Sequence, residues 1–336
     1  MPNITFGFAS NVAPSVFGIS QAPIRSVIEH RAEEFEKTSV LPLLFNTDKT
    51  NKPMEKLTSL TDMDEFDPVG ENGAYPVTGF EEGYSKIVEQ MTWKNSFSVT
   101  REAIEDSVLL DLKKQPAAFT VAYYRTRERF GAAFYGNAIK LAASFVLSGK
   151  TFNCQTADAK NLFAIDHPSK VSGAVQPNYF ADAFSVDALA AMETAMQNFR
   201  GDNDNVMAVA PNTILIPNDY KLKKAVFATI GADKDPTTAN NGFNYQFGRW
   251  NVIVWSELNR YITAGTSPWI LLDSSYNEEY DGALWLDRIP LDVRSTLDEG
   301  TDANVWRGRA RFNAAFHDWR FAAVGGVAGG GTLVTA

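Results

Sequence analysis

The chain is poor in the groups that do chemistry. Its 336 residues hold one cysteine, Cys154, and three histidines, His30, His167 and His317. A lone thiol cannot close an intramolecular disulfide, so Cys154 reads as an ordinary core or loop residue. The histidines are too far apart for a local ligand cluster, and neither H-x-x-x-H nor C-x-x-C occurs; no metal and no other cofactor is expected. The chain also lacks a G-x-S-x-G elbow, a Walker loop and a G-x-G-x-x-G after a strand. Carboxylate pairs such as Glu278-Glu279 cannot be told from solvated charge, so an enzyme is not indicated. No stretch approaches the roughly eighteen apolar residues of a membrane span. The N-terminus has no basic segment followed by an apolar run, so a soluble protein made in the cytoplasm is expected. Positive charge is scarce as well: 31 Lys and Arg against 40 Asp and Glu leave a net charge of −9, which disfavours a protein built to grip nucleic acid.

What is present is an ordered set of patterns. With 45 % apolar residues, the chain has material for a sizeable core, in two domains or in one with excursions. Residues 1–22 are small, apolar and turn-rich, and read as an extended arm. Val27, Ile28, Arg31 and Phe35 suggest a short helix from Ile24. Residues 62–83 gather Asp, Glu, Gly and Pro without the EF-hand spacing, the composition of a solvated loop.

An abrupt change of period follows. Residues 84–99 alternate, with Trp93, Asn95, Phe97 and Val99 on one face and Lys94, Ser96 and Ser98 on the other, as in an extended strand. Thr100 to Ser107 is a charged joint. From about Pro116 to Leu147 the period is helical: Phe119, Tyr123, Phe130, Phe134, Leu141 and Phe145 form a stripe, with Gly149 as the stop. A second helix opens at the N-cap Ser185, with Leu189, Met192, Met196 and Phe199 as its buried stripe. Strands are expected at 206–210, 213–216, 250–255 and 269–273, with a helix capped by Asp219 between the second and third.

The last strong signal is a strand. Trp306, Gly308, Ala310, Phe312, Ala314 and Phe316 alternate with Arg307, Arg309, Arg311 and Asn313. Three guanidinium groups roughly 7 Å apart on one face can meet carboxylates or phosphates. The segment 273–302 carries nine carboxylates against two arginines, and pairing with it, within or between subunits, is the simpler reading. Gly325-Gly326 and Gly329 to Gly331 read as a flexible tail.

In this order the elements resemble those of tailed-bacteriophage major capsid proteins with the Hong-Kong-97-type shell fold, nearest to Mu-like head subunits. The stretch Phe97-Ser98-Val99-Thr100-Arg101-Glu102-Ala103-Ile104-Glu105-Asp106-Ser107 is similar to the passage where that family's extended loop returns to the body. The run Ala210-Pro211-Asn212-Thr213-Ile214-Leu215-Ile216-Pro217 resembles the turn and strand before its axial domain, and Asp318-Trp319-Arg320 follows a strand like its late return strand.

The resemblance implies an α+β architecture: arm and short helix (1–50), extended β-hairpin loop (51–100), peripheral domain with a long spine helix (101–210), axial α/β domain (211–300), and return strand with tail (301–336). It implies a structural protein that self-assembles into pentamers and hexamers of an icosahedral head enclosing double-stranded DNA. The partners would be further copies of the chain, a separate scaffold protein, a portal and decoration proteins, with no sequence-specific DNA contact and no membrane. An encapsulin-type compartment holding an enzyme cargo is the other reading. A two-stranded ribbon is marginal alone in water, so Trp93, Phe97 and Val99 are expected to pack on an adjacent subunit, with Arg307, Arg309 and Arg311 as further intersubunit contacts. Some relatives cross-link through a loop lysine; Lys86 and Lys94 lie in that region, though a strand lysine is usually a solubilising edge charge.

Overall fold

Alternation over eleven residues, from Trp306 to Phe316, needs a long sheet with unlike faces, and the chain builds one. A computed structural model describes residues 4–7, 16–61, 66–71, 73–75, 77, 79, 82–100, 109–231, 243–298, 300–301 and 303–333. In chain order these form β1 (Ile4–Gly7), α1 (Val16–Thr38), α2 (Leu41–Leu44), β2 (Asn46–Lys49), β3 (Met54–Leu60), β4 (Glu82–Glu89), β5 (Met91–Thr100) and α3 (Leu109–Ile139). Next come β6 (Ser144–Leu147), β7 (Lys150–Asn153), β8 (His167–Pro168), β9 (Val175–Gln176), α4 (Val186–Gln197), β10 (Thr213–Pro217) and α5 (Tyr220–Gly231). The chain continues through β11 (Asn251–Trp255), β12 (Trp269–Leu272), α6 (Ser274–Tyr280), β13 (Ala283–Asp298), β14 (Ala303–Phe316) and β15 (Ala322–Gly325).

The larger sheet runs β1-β13-β14-β5, with β2 also on β13. Trp306, Ala310 and Phe312 of β14 are buried under the spine helix α3, whereas Arg307 and Arg309 are exposed on the opposite face. Phe119 of α3 packs with Leu291, Val293 and Trp306, joined by Ile24 and Ile28 of α1. About three turns further on, Phe130 and Phe134 meet Phe312 and Phe316 edge-on, at centroid distances of 5.9 and 5.6 Å. Close approach explains Gly308: a Cβ there would lie 2.3 Å from Phe119 Cζ. Gly308→Ala is expected to lift α3 from the sheet and cost about 1–3 kcal/mol, read as a lower midpoint in thermal unfolding.

The smaller sheet has the order β11-β10-β12-β15, with β10 and β11 parallel and the remaining pairs antiparallel. All five residues of β10 are buried, as its near-continuous apolar sequence requires. Ser185 caps α4 by accepting from Ala188 N at 3.0 Å, and Asp219 accepts from Leu222 N at 3.4 Å at the start of α5.

Several sequence expectations are corrected. The spine helix starts at Leu109 and ends at Ile139, so Pro116 lies inside it and Leu141 and Phe145 lie beyond it. Leu141 has φ 57°, and Phe145 sits on the β6–β7 hairpin, whose turn places Ser148 and Gly149 at φ 50° and 76°. Two consecutive positive φ values are the mark of a tight hairpin turn, not of a helix stop. Phe145 kept the helical spacing because the hairpin folds back onto the same core, 5.1 Å from the Phe134 ring. The helix expected from Ile24 is α1 and begins at Val16. Residues 206–210 form only an isolated bridge, Arg200 to Val206. The glycine-rich tail is packed: Val327 and Leu333 are buried, and a Cβ on Gly330 would lie 2.4 Å from the Phe180 carbonyl carbon.

The alternating run 84–99 divides at Gln90. Its first half, β4, pairs with β3 in a separate hairpin; its second half, β5, pairs with β14 in the large sheet. Most of the joint from Thr100 to Ser107, at residues 101–107, lies outside the described residues.

Candidate functional site

Extended surfaces, rather than a cleft with reactive groups, are the distinctive feature. Among the described residues no three His, Cys, Asp or Glu side chains are grouped to hold a metal. Several buried charges are engaged with one another. Arg127 donates from Nη1 and Nη2 to the two oxygens of Asp287 at 2.8 and 3.0 Å. Arg320 lies 3.2 Å from both Asp202 and Asp318. His167 Nδ1 meets Asp158 at 2.7 Å, and its ring stacks on Trp319. Desolvation raises the Asp158 pKa, but hydrogen bonds and the His167 charge outweigh it and hold the carboxyl below its ordinary value. Closed networks of this kind specify packing.

Trp93, Phe97 and Val99 occupy the helix-facing side of β5. Trp93 stacks on Phe312 at 5.1 Å, meets Phe130 edge-on at 5.2 Å, and donates from Nε1 to Phe312 O at 3.2 Å. Phe97 lies 5.3 Å from Phe119 and 6.1 Å from Trp306, and Val99 is buried. Much of their apolar surface is therefore spent inside their own subunit. Trp93 and Phe97 stay half-buried, and Trp93 contributes to a groove of about 620 Å³ between β5, α3 and the β6–β7 hairpin. Phe119, Tyr123 and Phe152 also line this groove, together with the exposed Lys94 and Lys150. Among the described strands β5 pairs only with β14, which leaves its outer edge open beside the groove.

The β3–β4 hairpin supplies the opposite kind of surface. Between Lys56 and Lys86 the sequence has seven carboxylates and no lysine or arginine. Every described residue from 66 to 79 is exposed, including the large apolar side chains Phe66, Val69, Tyr75 and Val77. Two lysines attach its root. Lys170 donates to the carbonyls of Glu82 and, at 2.7 Å, Gly83; Lys86 donates to those of Gln155 and, at 3.3 Å, Phe316. Burial lowers the Lys86 pKa to about 8, so this is no exposed edge charge. Its role was missed because the partners are carbonyls 69 and 230 residues away.

Across the large sheet from the groove, register gathers cations that the sequence separates. Lys94 faces Arg309, and Arg307 stands between Ser96 on β5 and Arg294 on β13. Desolvation, with the neighbouring Arg288 and Arg309 charges, lowers the Arg311 pKa. The acidic block expected to neutralise these groups contributes Asp292, which stands opposite Arg309 in register. Asp287 holds Arg127, Asp292 holds Arg294 at 3.0 Å, and Asp298 accepts from Gly300 N and Thr301 Oγ1; Glu299 and Asp302 lie outside the described residues.

A family model described as phage capsid protein matches residues 83–325, well over half of the chain. No curated protein sequence matches it. Among solved structures, one from Mycobacterium phage Patience is 9 % identical with a TM-score of 0.50, covering 100 % of this chain and 96 % of that one. An encapsulin complex from Synechococcus elongatus is 10 % identical with a TM-score of 0.50, covering 86 % and 88 %. One from Mycobacterium phage Adephagia is 14 % identical with a TM-score of 0.47, covering 87 % and 89 %. At such identities the likeness is one of fold.

Proposed function

The chain belongs to the phage capsid protein family, and from that premise we propose how its surfaces build a shell. Its fold is the Hong-Kong-97-type shell fold, and its role is structural, as a shell-forming component of the virion. In our reading the subunits form hexamers and pentamers of an icosahedral head around double-stranded DNA. They assemble in the host cytoplasm, with a separate scaffold protein, a portal and decoration proteins as partners. The reading includes the affinity to Mu-like head subunits and the division into arm (1–50), extended loop (51–100), peripheral domain (101–210), axial domain (211–300) and return segment (301–336). The order of arm, hairpin, spine helix and long return strand supports both.

One observation carries the mechanism. The same chain has an acidic hairpin with exposed apolar side chains and, elsewhere, an apolar groove flanked by Lys150. A two-stranded ribbon gains little by itself in water. Seating Phe66, Tyr75 and Val77 of one copy over the half-buried Trp93 of the next removes apolar surface from water on both, while Lys150 meets carboxylates. Phe97 and Val99 support the same strand from below. The contact joins unlike patches, so repetition by rotation closes rings.

Electron microscopy with a particle mass tests the reading. Closed shells are expected from the wild type, with scaffold if needed, and the triple substitution F66S/Y75S/V77S is expected to abolish them while leaving subunit thermal unfolding within about 0.5 kcal/mol, as exposed sites do. Monodisperse monomer at high concentration under all these conditions overturns the shell reading. The encapsulin-like structure favours a second reading, a protein compartment, whose particles would carry protein cargo in place of nuclease-protected DNA.

A further inference from the structure

We propose that the outer face of the β13–β14–β5 sheet binds the phosphate backbone of double-stranded DNA without reading its sequence. This rests on the reading of the chain as a DNA-enclosing shell, and extends it by assigning the surface that meets the contents.

The face gathers Arg307, Arg309 and Arg311 of β14 with Lys94 of β5, and Arg294 and Arg288 of β13 adjoin them. Like charges directly across a sheet are destabilising, so such an arrangement has a standing cost in the free subunit. Little inside the subunit offsets it. Arg294 has Asp292, and Arg307 donates to Thr296 Oγ1 at 2.5 Å. Among the described residues Lys94, Arg288, Arg309 and Arg311 have no ion pair, and Arg311 Nε is buried with no hydrogen-bond partner. In a chain of net charge −9 this is a local excess of cations looking for an external anion.

Two anions are available in a shell, a neighbour's carboxylates and DNA phosphate, and the composition of the face separates them. A stable protein–protein contact has an apolar centre. Between Ile289 and Val305 at its ends, this face instead carries guanidinium groups and one carboxylate, that of Asp292 opposite Arg309, among the hydroxyls of Thr92, Ser96 and Thr296. Polar, hydroxyl-bearing and strongly cationic is the make-up of nucleic-acid interfaces. The acidic hairpin brings Phe66, Tyr75 and Val77 with its carboxylates, and this face offers little apolar surface between Ile289 and Val305 to receive them. In this proposal Arg307, Arg309 and Arg311, expected from the sequence to meet another subunit, meet phosphate instead. A cluster limited to one face of an acidic protein yields an affinity that salt removes readily, which suits contents that must later leave.

The test uses unassembled full-length subunit and a labelled 30-bp duplex of random sequence, titrated at several salt concentrations. The wild type is expected to bind with log K falling against log salt at a slope of about −0.9 per phosphate engaged. The variant R307Q/R309Q/R311Q should lose at least roughly tenfold in affinity and about 2–3 from that slope, and Lys94→Gln about 1. A synthetic peptide of residues 62–82 stands in for a neighbour's carboxylates. Absence of duplex binding by folded wild type at the lowest salt, an unchanged slope in the triple variant, or stronger binding of the peptide than of the duplex overturns the proposal. Shell formation is scored separately by electron microscopy, so loss of assembly and loss of DNA binding are told apart.

Discussion

Asp287→Ala is expected to destabilise the subunit by about 3–5 kcal/mol, among the largest effects available to a single substitution in this chain. Asp287 accepts both Arg127 Nη1 and Nη2 and, at 3.1 Å, Trp285 Nε1. The guanidinium is sandwiched against the rings of Trp285 and Phe312, at 4.8 and 5.1 Å. Removing the carboxylate leaves that charge against two aromatic rings with only 17 % of its side chain exposed. The cost is that of an uncompensated buried ion, not the net worth of the pair. A double variant R127M/D287L is therefore expected to recover most of the loss, since apolar replacement of a buried pair is often neutral. Equilibrium urea unfolding of unassembled subunit decides it. If Asp287→Ala costs less than about 1 kcal/mol, the pair is hydrated and the account of this junction is wrong.

The contrast between Asp287 and Phe312 shows what was legible in the sequence. Phe312 belongs to a strict alternation, and alternation fixes a face before any partner is known; β14, β10, α4 and the first two-thirds of the spine stripe were readable for that reason. Phe145 misled because a hairpin folding back onto the helix buries the same kind of residue at the same spacing. The run 84–99 misled differently. Period two marks a strand but not its sheet, and the change of partner at Gln90 comes from register with β3 and β14, each set by residues far away. The arginine face was half legible: three arginines were visible on β14, whereas Lys94, Arg288 and Arg294 join them only through pairing. The acidic block looked like their natural counterion, yet Asp287 points to the spine helix instead. Sign and count of charge can be read from a chain; which charges face each other is a property of the register.

Lys86 carries the second large expected effect, and its sign is opposite to that of a salt-bridged lysine. Desolvation lowers its pKa from 10.5 to about 8, with the Cys154 thiol opposing the shift in part. Its ammonium has two carbonyls as acceptors and no carboxylate, and His317, itself held below its ordinary pKa by burial, lies on the same side. The native state therefore gives up this proton first. Below about pH 8 both states hold it and the full penalty of burying the charge is present; between about 8 and 10.5 only the unfolded state keeps it, and native stability rises with pH. Three groups act against that rise. Burial lifts the Cys154 thiol to about 11 and the Tyr124 and Tyr135 phenols well above 10, so their native forms resist ionisation and lose stability in alkali. The difference between wild type and Lys86→Met cancels those contributions. That difference is expected to move in favour of the wild type by about 2 kcal/mol from pH 8 to 10, measured by urea unfolding of unassembled subunit. A flat difference would mean that water reaches the ammonium and that the hairpin root is only loosely seated. The expected slope means that the hairpin is attached to the body at the cost of a buried charge. Any displacement of β4 that returns Lys86 to water regains part of that cost, so the root of the element best suited to reach a neighbour is also the one held with energy in reserve.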